Sequence, residues 1–203
     1  MSASFIAFLG AAALVTIAPG LDTALVLRTA AVEGARRAFL AGLGVALGCL
    51  AWAGMAAIGV GALLAASEAA YTALKWAGAA YLLWLGVKLL LRPRERFDFA
   101  AEKSNGAPLA RGFLTNILNP KVGVFYVSFL PQFVPPEAPA GIWVMGLGAV
   151  HAAMGLFWFA LLIAATRPLA RLFQRSAFVK TIDRLTGGVF LSFGAALALE
   201  SRH

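Results

Sequence analysis

Phe5-Ile-Ala-Phe-Leu-Gly-Ala-Ala-Ala-Leu-Val-Thr-Ile-Ala-Pro-Gly-Leu-Asp-Thr-Ala-Leu-Val-Leu27 is an apolar run with a single charge, Asp22, and a single proline, Pro19. A helix needs about 20 mainly apolar residues to cross the hydrocarbon core of a bilayer. In lipid every backbone N–H and C=O must be satisfied within the segment, so a run of this kind is helical wherever proline allows. A membrane β-strand would alternate polar and apolar residues, and this run does not. The five residues that begin the chain, Met1-Ser-Ala-Ser-Phe5, carry no basic side chain. They are read as the start of a spanning helix and not as a cleaved signal.

The same texture returns in residues 39–66, 69–91, 112–134, 141–165 and 185–199. The last run is the weakest, with only 15 uncharged residues, which places Asp183 and Arg184 near the interface or the helix in a thinned bilayer. Over the whole chain of 203 residues, 61% are hydrophobic and 13% charged. Soluble domains run at roughly 45–50% and about 25%. A soluble globule of this length could not hide so much apolar surface. The expected fold class is therefore all-α: a polytopic membrane protein with six transmembrane helices.

Charge orders these runs. The net charge is +8, and fourteen of the seventeen Lys and Arg residues fall in or beside the linkers after the first, third and fifth runs. The linkers after the second and fourth runs hold none. The positive-inside rule places the three basic linkers in the cytoplasm and both termini outside. The same distribution argues against nucleic acid as a partner, because no basic patch with interleaved aromatics exists. The lone cysteine, Cys49, excludes an intrachain disulfide, a thiol-based metal site and a cysteine-pair oxidoreductase.

The two halves resemble each other. Ala18-Pro19-Gly20-Leu21-Asp22 in the first run is matched by Leu118-Asn119-Pro120-Lys121 in the fourth, and Gly42-Leu43-Gly44 by Gly146-Leu147-Gly148. Lys75-x-x-Gly78-x-x-Tyr81-Leu82 is matched by Arg184-x-x-Gly187-x-x-Phe190-Leu191. Three runs per half is an odd number, so the second half enters the membrane from the opposite side, the inverted-repeat plan of many secondary transporters. The expected organisation is one membrane domain: a three-helix repeat over residues 1–91, a cytoplasmic linker over 92–111 and a second repeat over 112–203.

Proline within a helix removes a hydrogen bond and clashes with the preceding turn. Pro19 lies nine residues before Arg28, and Pro120 nine after Arg111, so two breaks are expected at similar depth. Freed backbone groups at that depth must face protein or a polar cavity. Asp22 follows the first break and Lys121 the second. An ionised group near the bilayer centre costs at least about 2.5–3.5 kcal/mol, so such groups usually turn inward and pair. Asp22 and Lys121 are thus expected to approach at the repeat interface and line a substrate site. The structural alternative is an ion pair that only fixes the packing of the first and fourth runs.

Other residues carry weaker signals. Asn116 and Asn119 flank Pro120 and either cap the broken helix or contact substrate. His151 is the one histidine within a run and is read as a proton relay or an interhelical hydrogen bond, since a single histidine makes a poor metal site. Gln132 is read as an interfacial cap, and Gly42, Gly44, Gly48, Gly146 and Gly148 as close-packing positions. The tryptophans are read as anchors or packing. Binding residues are therefore sought among Pro19, Gly20, Asp22, Asn116, Asn119, Pro120, Lys121 and His151, with no cofactor and no metal.

At these residues the chain resembles the LysE/RhtB family of bacterial amino-acid exporters. The resemblance covers nearly the whole chain and includes Phe129-Leu-Pro-Gln-Phe133 and Gly78-Ala-Ala-Tyr81-Leu-Leu-Trp-Leu-Gly86. The family usually shows Pro-Gly-Pro-Asp in the first run, so Asp22 matches and Leu21 departs from the second proline. The resemblance implies export of amino acids or close derivatives across the bacterial inner membrane, coupled to the proton gradient, by alternating access and without enzyme activity. Homo-oligomerisation is left open. A PQ-loop sugar transporter would need a second Pro-Gln to match Pro131-Gln132, and an inorganic-ion exporter would need clustered acids or histidines. An intramembrane serine protease would need a nucleophile setting that Ser128 and Ser192 lack. A purely structural subunit would leave Asp22 and the prolines without a task.

Overall fold

Runs rich in alanine and leucine satisfy their backbone internally as helices. The computed structural model of the chain describes residues 2–18, 20–66, 68–93, 106–135, 137–165 and 175–199, and among these there is no strand. The first run is divided into α1 (Ser2–Ile17) and α2 (Leu21–Glu33), bent by 50° at the break. Gly34 then turns the chain with φ +94, a left-handed conformation that glycine adopts without a Cβ clash. Next come α3 (Ala35–Ala66) and α4 (Glu68–Leu91). The fourth run is cut more finely: α5 (Pro108–Ile117), α6 (Pro120–Val124), a π-helical turn over Phe125–Phe129 and a 3-10 turn over Leu130–Phe133. Two long helices, α7 (Ala140–Ala164) and α8 (Ser176–Leu199), complete the bundle.

Helical elements lie along each of the six apolar runs, with α8 starting nine residues ahead of the run 185–199. By length and composition alone, α3 and α7 are each long and apolar enough to cross a membrane, and the bent pair α1–α2 makes a third. The π and 3-10 turns shorten every regular piece of the fourth run, so that run meets no simple length test.

Helix α3 is the centre of the packing. Its Gly42 lies against Phe159 of α7, and Ala53 fills the space beside Gly148, so α3 and α7 are antiparallel. Along α5 the order is the same in both helices: Ala41 meets Gly112 and Gly48 meets Asn116, so α3 and α5 are parallel. The approach is backbone to backbone. A Cβ at Gly112 would overlap the Ala41 carbonyl, and one at Gly44 would overlap the Leu109 carbonyl. On the other side Gly86 faces Gly187, and Leu83 faces Gly194, which makes α4 and α8 antiparallel. Gly146, expected as a packing position, has no neighbour within 4 Å of the place a Cβ would take and belongs to an exposed face.

The two broken runs lie antiparallel along their whole length. Phe8 stacks edge-on against Phe133, Lys121 reaches Val15 and Ala18, Asp22 meets Asn116 and Asn119, and Glu33 meets Arg111. The break in one run is therefore set against the break in the other. In α8 Asp183 is fully buried against the bundle, whereas its neighbour Arg184 is exposed. Large apolar side chains such as Ile58, Ile142 and Phe157 are left on the outside, a surface suited to lipid and not to water.

Candidate functional site

Asp22 is the second residue of α2, directly after the first break. The positive end of the helix dipole makes this a favourable position for a carboxylate. Its Oδ2 accepts two hydrogen bonds from the second broken run, from Asn116 Nδ2 at 2.9 Å and Asn119 Nδ2 at 3.2 Å. Its Oδ1 is buried and accepts none. Of the two roles expected for the asparagine pair, Asn119 takes the cap: its Oδ1 accepts from the Lys121 backbone N–H at 3.2 Å at the start of α6. Asn116 is no cap. It is wholly buried, with Nδ2 also 3.5 Å from Cys49 Sγ.

Lys121 answers the other end of the first break. Its Nζ donates to the Ala18 carbonyl at 3.1 Å and the Val15 carbonyl at 3.3 Å. Val15 belongs to the last turn of α1 and Ala18 follows that helix directly; carbonyls at a helix C-terminus lack onward helix partners, and a cation is favoured there. Glycine at position 20 makes room: a Cβ would stand 3.0 Å from Lys121 Nζ. Pro120 is the first residue of α6, where a missing N–H loses nothing. Pro19 lies outside the described residues.

Asp22 and Lys121 share one cavity with Gly20, Thr16, Cys49 and His151. Its space is on the scale of a few water molecules. Thr16 Oγ1, like Asp22 Oδ1, is buried without a partner. Across the cavity, His151 Nδ1 is 2.9 Å from the Tyr126 hydroxyl, and its ring lies 5.0 Å from that of Phe125. Tyr126 is wholly buried in the π-helical turn and also reaches the Gly148 carbonyl at 3.4 Å.

Gly20, Asp22, Asn116, Asn119 and Lys121, singled out in the sequence, thus come together, with His151 on the facing wall. Tyr126, Thr16 and Cys49 carried no such signal. Tyr126 lies in a π-helical turn that begins five residues beyond Pro120, and such a turn has no sequence signature. Gln132 donates to the Ser128 carbonyl one turn back, at 2.9 Å, and stays within its own segment. Among the described residues no group of His, Cys, Asp and Glu is placed to hold a metal ion.

A second polar cluster joins the far ends of the same two runs. Glu33, the last residue of α2, accepts from the two terminal Arg111 guanidinium nitrogens, each at 2.9 Å, and from Arg37 Nε at 2.7 Å. Arg37 also donates to the Gly106 carbonyl at 3.2 Å. The doubly bonded Arg111, with Arg37 behind it, holds the Glu33 carboxyl below the usual carboxylate range. In the sequence these arginines read only as topology signals.

The family model of the LysE type translocators matches residues 13–201, which include every residue of the cavity described above. The chain belongs to the LysE type translocator family. It is similar to an uncharacterized membrane protein of Bacillus subtilis (strain 168), 29% identical over 97% of this chain and 99% of that one. A leucine efflux protein of Klebsiella pneumoniae subsp. pneumoniae is 30% identical, covering 96% of this chain and 94% of the relative. A threonine efflux protein of Salmonella typhi is 29% identical over 91% and 92%. No solved structure matches significantly. As a LysE type translocator the chain is a membrane protein, and the apolar exterior of its helices agrees with that.

Proposed function

We propose that this translocator is a secondary transporter that exports amino acids or close derivatives from the cytoplasm, coupled to the proton gradient. The substrate is held where the two broken runs cross. The observation that carries this reading is the unpartnered Oδ1 of Asp22, buried in one cavity with the Lys121 ammonium. A zwitterion supplies both complements. Its ammonium suits the Asp22 carboxylate, and its carboxylate suits Lys121 and the first-turn amides of α2, which no side chain caps. Relatives named for efflux of leucine and threonine make amino acids the first substrates to try.

We take the crossings to be six, as two inverted sets over residues 1–91 and 112–203 joined by a cytoplasmic linker, with both termini outside. In support, alternate crossings require α3 antiparallel to α7 and parallel to the fourth run, and α4 antiparallel to α8, which are the senses found. The cavity is too small for an amino acid, so transport requires the broken runs to part, on one side of the membrane at a time. Separation toward the cytoplasm breaks the Glu33–Arg111 pair. Asp22 and the Tyr126–His151 pair are the groups through which a proton would be carried.

Counterflow into proteoliposomes, run against a panel of amino acids with and without an imposed pH gradient, tests the proposal. Accumulation that rises with the gradient is expected. Amino-acid movement indifferent to the gradient removes the proton, and no movement of any amino acid removes the exporter.

A further inference from the structure

Helix α7 presents His151, Ala152, Gly155 and Phe159 to the cavity. Steps of three and four residues put these positions on one helix face. Gly155 lies between His151 and Phe159, both of which are buried. The interior glycines of this bundle are mostly filled by a neighbour: Gly148 faces Ala53, and Gly42 faces Phe159. Gly155 differs, because a Cβ built there meets no atom within 4 Å although the residue lines the cavity. Gly155, itself half-buried, therefore leaves a notch at the cavity wall that no neighbouring helix fills. Val45, Ala46, Ala152 and Phe159 line the same cavity, and none of them is charged.

We propose that Gly155 sets the longest side chain the transporter accepts, with the notch receiving an uncharged aliphatic side chain while Asp22 and Lys121 hold the ammonium and carboxylate. This rests on the placement of the substrate proposed above. Once the broken runs part, the α7 notch is where an uncharged branched side chain such as that of leucine would lie, and carbon added at position 155 would shorten the side chain accepted. In an apolar pocket one methylene changes selectivity by roughly 10–200-fold.

The test is counterflow of radiolabelled leucine and alanine by purified full-length protein in proteoliposomes, for wild type, Gly155→Ala, Gly155→Val, Gly146→Val and Asp22→Asn. Gly146 lies on the same helix with the same open space but away from the cavity. The leucine-to-alanine ratio should fall stepwise through Gly155→Ala and Gly155→Val, by about tenfold or more at valine, and stay at the wild-type value in Gly146→Val. Should Gly155→Val not assemble, Gly155→Ala, which favours the helix, carries the test alone. An unchanged ratio in the Gly155 variants, with Asp22→Asn inactive, overturns the role of Gly155 and leaves the site standing. Full activity in Asp22→Asn overturns the site itself, and the Gly155 assignment falls with it.

Discussion

Asp22 and Asn116, 94 residues apart in the chain, are joined by a buried 2.9 Å hydrogen bond where the two broken runs cross. The Asn116 side chain occupies the space that a Cβ on Gly48 would take, within 2.6 Å of its Oδ1. Three helices, α2, α3 and α5, are thus fastened at one point, and the carboxyl group at that point is the one that faces the cavity.

Replacing Asn116 by alanine should therefore weaken both assembly and transport. A lost hydrogen bond to a buried polar or charged partner costs about 1–3 kcal/mol. The expected result is a lower thermal midpoint in detergent together with transport well below wild type. Wild-type values for both would show that Asn116 neither orients Asp22 nor holds α5 in place.

Stability should also depend on the Glu33–Arg111–Arg37 cluster in a defined pH window. The Glu33 carboxyl is held below its ordinary range by Arg111 and Arg37. Its contribution is therefore complete above the ordinary glutamate pKa, about 4.3, and is lost as pH falls through that value toward the folded one. With side chains only 19% and 6% exposed, the pair should contribute roughly 1 kcal/mol. Wild type should melt above Glu33→Gln at pH 6–7, as a round working range about two units over the reference value, and the gap should close under acid. A gap that persists at low pH would contradict this assignment.

Backbone contact between α3 and α5 makes a sharp distinction among glycines. Gly44→Ala and Gly112→Ala each drive a methyl into a main-chain carbonyl and should cost about 1–3 kcal/mol or more through overpacking. Gly146→Ala, with open space around it, should be neutral or slightly stabilising. Yields of monodisperse protein and thermal midpoints for the three variants measure this directly.

The orientation has its own test. Reporter fusions at the C-terminus and within residues 92–111 should report the outside and the cytoplasm respectively. Both reporters on the same side would be incompatible with six crossings.

Much of this arrangement was legible in the chain because bilayers impose strong rules. Runs 39–66 and 141–165 are long and apolar, and they became α3 and α7. Two prolines with adjacent charges pointed to a meeting of Asp22 and Lys121, and the two side chains do share one cavity where the antiparallel runs cross. What the sequence did not disclose depends on helix rotation. Asn116 meets Asp22 through the packing of α5 against α2 and α3, and Tyr126 sits in a π-helical turn that no residue type dictates. Gly146 and Gly148 read alike in sequence, yet Gly148 faces Ala53 and Gly146 faces open space. The Glu33–Arg111 pair was missed because charge counting sums arginines and ignores what they touch.

The claim on which the rest depends is that transport runs through the crossing of the two breaks. Counterflow of a transported amino acid by Asp22→Asn and Lys121→Ala, in protein shown to be folded and inserted, tests it most directly. Loss of transport in both, with each variant retaining a cooperative thermal transition, is the expected result. Wild-type rates in both would contradict it and move the site away from the broken helices.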